Sequence, residues 1–181
     1  MKEGDILANN GFISDVTLDE CQKLVDLCFE GNAILDNIVY AMNILPLNTP
    51  KLYEFVHYSI SHALPTTFAD KITDYLLMEG SPVHRGAIPI HDKEYTDLIS
   101  CFEDIQDIFL NIKKQVELTI DTAATNKDDG IEDFLRSFNV DIVSLYLKQS
   151  IVLLNAVKQY DEAGILPSFN KEFESYIIIE K

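Results

Sequence analysis

The stretch TTFADKITDYLLMEGSPV, Thr66 to Val83, decides the reading of this chain. Phe68, Ile72 and Tyr75 recur in it at helical spacing, Gly80 offers the left-handed conformation that closes a helix, and Pro82 keeps the helix from resuming. The stretch therefore reads as the last turns of a long helix and the turn that ends it. Asp70 and Asp74 lie about 40° apart round that helix, near enough to reach one ligand. Two carboxylates so placed suit a hard or borderline cation such as iron(II), manganese or magnesium, and they are the candidate metal ligands of the chain. The same pair also reads as a solvated helix face.

Upstream, Thr49 and Pro50 read as the cap and first position of this helix, with Tyr53, Ile60 and Leu64 extending its core stripe. Pro65 lies inside it, which predicts a kink near Ser61 to Leu64. His57 and His62, five residues apart, fall on different faces of an α-helix, so no joint metal binding is expected of them. An earlier helix is announced by Thr17 with Glu20 as a capping box. It carries Leu24, Leu27, Ile34, Leu35, Ile38, Met42 and Leu45 until Pro46 stops it.

Downstream, SPVHRGAIPIH is a connector without period, and His84 and His91 in it read as loop ligands or surface histidines. At about 3.3 to 3.6 Å per residue it spans nearly 40 Å, enough to return along a bundle and leave the second and third helices parallel. Asp92 is the expected cap of a third helix bearing Leu98, Phe102, Ile105, Phe109, Ile112, Val116 and Ala123. The short turn TNKDDG then sets a fourth helix, Ile131 to about Ala163, antiparallel to the third. Its IVSLYL and IVLLNAV runs are apolar on more than one face, which points to an oligomer contact. The organisation is an N-terminal extension over 1–16, a bundle over 17–163 and a loose tail over 164–181. The three isoleucines of that tail need cover from the body or from a neighbour.

The 181 residues suffice for one core, and 47% hydrophobic with 24% charged composition describes a globular chain. Cys21, Cys28 and Cys101 show no zinc spacing and read as buried thiols of a reducing compartment. With neither a signal-peptide core nor an uninterrupted apolar run of about 18 residues, a cytoplasmic protein is expected. No phosphate loop, GxSxG elbow or HExxH supports a nucleotide, hydrolase or zinc-protease reading. Glu30, Asp36, Glu103, Asp107, Glu117 and Asp141 are further carboxylates on the other helices, and none has an E-x-x-H neighbour.

Four long helices with a long second connection form an all-α, ferritin-like four-helix bundle. The chain resembles the ferritin-like superfamily, more closely its Dps (starved-cell DNA-protection) branch. DKITDYLLMEGSPV is similar to that branch's acidic helix end before a Gly-x-Pro turn, and NKDDGIEDFL to its turn into the last helix. The resemblance implies iron(II) oxidation and storage in a multimeric shell, a dodecamer in that branch, with iron bound at Asp70 and Asp74. The branch's Asp-x-x-x-Glu falls on Asp70 and Asp74 after a one-residue slip, and on Ala69 and Thr73 without it. The Glu-x-x-His of ferritins falls on Pro65 and Phe68, so a reduced or lost oxidation centre is expected. The alternative is a bundle that has kept the fold and assembly without the metal chemistry.

Thirty acidic against 14 basic residues give a net charge of −16, which repels phosphate backbones. Random duplex DNA is expected to bind weakly or not at all near physiological salt. A mobility-shift titration showing sub-micromolar binding that falls steeply with added salt would contradict this.

Overall fold

The computed structural model describes residues 11–45 and 50–179. Its first helix, α1 (Asp15–Ile44), is opened by Ser14, whose hydroxyl accepts the Thr17 amide at 3.3 Å. The capping box expected at Thr17 and Glu20 does not start the helix. Thr17 is already inside it and fully buried, and Glu20 is engaged by Lys23 and Gln115. Ser14 is itself anchored from afar: its amide and hydroxyl donate to the two Asp128 carboxylate oxygens at 3.1 and 2.6 Å. The stop at Pro46, the cap at Thr49 and the start over 1–10 lie outside the described residues.

The second helix, α2, runs over 50–78 in four pieces. Pro50–Phe55 and Asp70–Met78 are α-helical, and Val56–Ser61 and Leu64–Ala69 are π-helical. One cause lies in the apolar pattern. Leu52, Val56, Ile60, Leu64, Phe68, Ile72 and Leu76 are all buried and follow one another every four residues. In an α-helix each such step drifts about 40° round the axis, so this stripe would wind off the core within a few turns. Turns with i→i+5 bonding hold more residues and take the drift back.

Pro65 is the second cause. It has no amide to give the Ser61 carbonyl four residues earlier. Asn32 of α1 supplies the missing donor, with its Nδ2 3.3 Å from the Ser61 carbonyl and 2.9 Å from the Ser61 hydroxyl. That hydroxyl donates onward to Asp36 Oδ1 at 2.9 Å. The disturbance expected around Ser61 to Leu64 thus takes the form of π-helical turns braced from α1.

Gly80, at φ 74°, closes α2, and the Ser81 amide returns to the Leu76 carbonyl at 2.9 Å. The connector then runs along α1, whose side chains hold its backbone. Gln22 bonds both the amide and the carbonyl of His84, Asp26 accepts the Gly86 amide at 3.0 Å, and Asn37 donates to the His91 carbonyl at 2.6 Å. A side chain at position 86 would come within 2.7 Å of the Asp26 carboxylate, which would have to swing aside and give up its bond to the Gly86 amide.

The third helix, α3, is Leu98–Asn126, and it begins at Asp97, which accepts the Ser100 amide at 2.7 Å. The start expected at Asp92 is displaced because Lys93 and Tyr95 are both bound to Asp104 of α3, at 2.7 Å each, which keeps this segment folded back on the helix. Gln115 reaches Glu20, so α3 runs against α1 and parallel to α2, as the connector length predicts.

The fourth helix, α4 (Asp129–Glu162), is long and apolar enough to pass for a membrane span by length and composition, yet it is packed as the last helix of the bundle. Part of its extra apolar face is covered by the tail, which was expected to be loose. There α5 (Leu166–Glu172) and the turn Phe173–Tyr176 bury Phe169 and Phe173 against Tyr160, Phe102 and Phe55. Gln149, fully buried on α4, accepts the Ile178 and Ile179 amides at 2.6 and 3.1 Å and donates to the Tyr176 carbonyl at 2.9 Å. Ile179 is thereby seated in the core.

All three cysteines are free and buried, and burial pushes the Cys21 and Cys101 thiols up to about 12 and Cys28 higher still. Since the proton is held more tightly in the folded state, this contribution to stability is present below the unfolded thiol value near 9 and fades as pH rises above it.

Asn32→Ala removes the donor that replaces the Pro65 amide and leaves a buried carbonyl unpaired. Urea unfolding is expected to show a loss of about 1 to 3 kcal/mol. The loss should shrink in a Pro65→Ala background, where position 65 again carries an amide. An equal loss in both backgrounds would refute the compensation.

Candidate metal centre

Asp70 and Asp74 stand on the closing α-helical piece of α2, and both are exposed on the side away from Phe68, Ile72 and Leu76. Among the described residues no three His, Cys, Asp or Glu side chains come together in a group fit to hold a metal ion. The described residues therefore bring no third ligand of these types to the pair. Of the other register, Ala69 is buried and Thr73 half-buried.

The remaining carboxylates are spread over the surface. Glu30 lies 3.4 Å from His91 Nε2, Glu103 pairs with Lys158 at 2.8 Å, and Glu117 pairs with Lys113 at 3.2 Å. Asp36 accepts from Ser61, Asp141 accepts from Ser137 at 2.8 Å, and Asp107 is exposed. No described aspartate or glutamate is buried.

The interior between the helices is aromatic instead. Phe68 of α2, fully buried, has its ring centroid 5.8 Å from Phe109 of α3 and 5.6 and 5.2 Å from Phe138 and Tyr146 of α4. The Phe138 and Tyr146 contacts are edge-on, the favourable arrangement for aromatic quadrupoles. Burial raises the Tyr146 hydroxyl above its ordinary value. A carboxylate-bridged di-iron centre needs inward-pointing Glu and His from facing helices. The described residues do not fit one, and Phe68 is the position on which the histidine of the Glu-x-x-His pattern falls.

Of the histidines, His57 and His62 depart from the spacing of an α-helix, and His84 is exposed at the surface. His84 is held by Gln22 through its backbone, while His91 accepts from Asn37 through its carbonyl and has its ring beside Glu30. His57 and His62, expected on different faces, lie with ring centroids 4.5 Å apart and planes at 68°. The cause is the π-helical run Val56–Ser61, in which the His62 amide reaches back five residues to the His57 carbonyl at 3.1 Å. Five residues make about 140° in an α-helix and roughly one turn in a π-helix.

Phe68→Ala is expected to cost about 3 to 5 kcal/mol in urea unfolding, because it opens a cavity at the aromatic centre of the bundle. A loss below about 1 kcal/mol would mean that this cluster does not hold the helices together.

No protein-family model matches the chain, and no curated protein matches it. Solved structures do. An open-pore ferritin from the hyperthermophilic archaeon Archaeoglobus fulgidus aligns with a TM-score of 0.79 at 14% identity, over 92% of this chain and 99% of that one. A humanized archaeal ferritin aligns at 0.77 and 15% identity, over 88% and 96%. A variant of PmFTN soaked in iron aligns at 0.78 and 14% identity, over 87% and 98%. The chain has the ferritin-like fold, a four-helix bundle with its long connection between α2 and α3.

Proposed function

We propose that this chain is an iron-storage protein of the ferritin-like kind that binds iron(II) on carboxylates outside the bundle core, Asp70 and Asp74 first among them. The observation that carries this reading is the distribution of charge within the fold. The described carboxylates all lie outside an aromatic centre, on a chain of net charge −16. Such a surface concentrates cations, and a carboxylate pair one helical turn apart is a starting point for binding them. Being exposed, the pair has room for a further ligand from a second copy of the chain. We place the protein in the Dps branch on its GSPV turn and its NKDDGIEDFL segment. The shell would then be a cytoplasmic dodecamer that protects against oxidative damage by withdrawing iron, with little affinity for DNA. Oxidation of iron at an in-bundle centre is no part of this reading.

One observation favours a second reading, a bundle that assembles but has no metal chemistry: Phe68, Phe109, Phe138 and Tyr146 fill the centre completely enough to stabilise the fold without ligands.

Anaerobic iron(II) titration followed by exposure to oxygen, with light scattering for size, separates the two. The wild-type protein is expected to be oligomeric and to bind iron(II) saturably. Asp70→Asn/Asp74→Asn should lose that binding with helical content and oligomer size unchanged. Unaltered iron binding in the double variant would overturn the site. A wild-type oligomer indifferent to iron would establish the second reading.

A further inference from the structure

We propose that His57 and His62 form a surface site for a late first-row divalent cation, Zn²⁺, Cu²⁺ or Ni²⁺, created by the π-helical turn between them. Imidazole is a preferred ligand for these ions, whereas the acidic pair on the same helix suits harder ones. The separation fits. With metal–nitrogen bonds of about 2.0 to 2.1 Å each ring centroid lies roughly 3.2 Å from the ion, so angles of about 90 to 109° at the metal set the centroids some 4.5 to 5.2 Å apart. The observed 4.5 Å lies at the near end of that interval, and His62 is exposed, so an ion can reach it from solvent.

A second observation points the same way. The Nδ1 atom of His57 is shut off from solvent and has no hydrogen-bond partner among the described residues, so none of them commits that nitrogen to another role. Tyr58 flanks both rings, with centroids 4.6 Å from His57 and 5.4 Å from His62, and it limits the directions they can take. Two protein ligands leave the remaining coordination positions to water or to an outside group, so the site is open. The local backbone is essential: in an uninterrupted α-helix the same residues would point well apart and could not share an ion.

The test is a calorimetric titration of Zn²⁺ into the full chain and its variants. The wild-type protein is expected to take up one zinc per chain saturably. Both His57→Gln and His62→Gln should bind at least about tenfold more weakly, with circular dichroism unchanged. His62 is exposed, so His62→Gln reports on the site even where His57→Gln perturbs folding. Asp70→Asn/Asp74→Asn should bind zinc as the wild type does, which keeps this site distinct from the iron reading. Absence of saturable zinc binding in the wild type, or undiminished binding in His62→Gln, would overturn the proposal.

Discussion

The missing amide of Pro65 is the constraint around which the second helix is built. An α-helix with a proline at its middle leaves one carbonyl bare and must bend or open. Here the bare carbonyl belongs to Ser61, in the interior, where an unpaired polar group is expensive. The α1 side chain Asn32 covers it, which ties the two helices together at the point where one is weakest. The backbone on both sides widens into π-helical turns, and these carry the seven-residue apolar stripe to the core without drift. Packing and the meeting of two histidines thus both follow from the form this helix takes.

The four helices, their parallel and antiparallel senses and the path of the long connection could be read from apolar periodicity, from glycine and proline, and from connector length. The helix starts could not be read so well. Asp92 and Asp97 are equivalent as caps, and only the binding of Lys93 and Tyr95 to Asp104 decides between them. Thr17 and Glu20 have the spacing of a capping box, but the side chain that reaches the first free amides is Ser14, held by a residue far along the chain. The tail looked loose because its three isoleucines show no helical period. Its order comes from Gln149, a polar residue inside an apolar helix, which local pattern does not connect with residues nearly thirty positions later.

At the candidate sites the sequence told on which side of the helix the carboxylates stand and missed the local form of the helix. Asp70 and Asp74 were legible as an outward pair because they stand apart from the Phe68 and Ile72 stripe. The closeness of His57 and His62 was hidden by the assumption of 3.6 residues per turn. A signal for it did exist: Leu52, Val56, Ile60, Leu64, Phe68, Ile72 and Leu76 recur every four residues, which an ideal α-helix cannot keep on one face. The aromatic centre shows how the interior of such a bundle is held together by apolar contacts. Carboxylates pointing inward destabilise a bundle unless a cation neutralises them, whereas Phe68 and its neighbours stabilise the same space without one.

The bond between Ser14 and Asp128 joins the first turn of α1 to the bend that precedes α4. During synthesis the leading helix emerges with its capping hydroxyl in place but with the amide and hydroxyl of Ser14 still turned to water. They are secured only when the bend has left the ribosome. The first turn of α1 therefore depends on a residue 114 positions later, and it frays until that contact is made. Hydrogen exchange at that turn would report on whether the bend before α4 has docked on the start of α1.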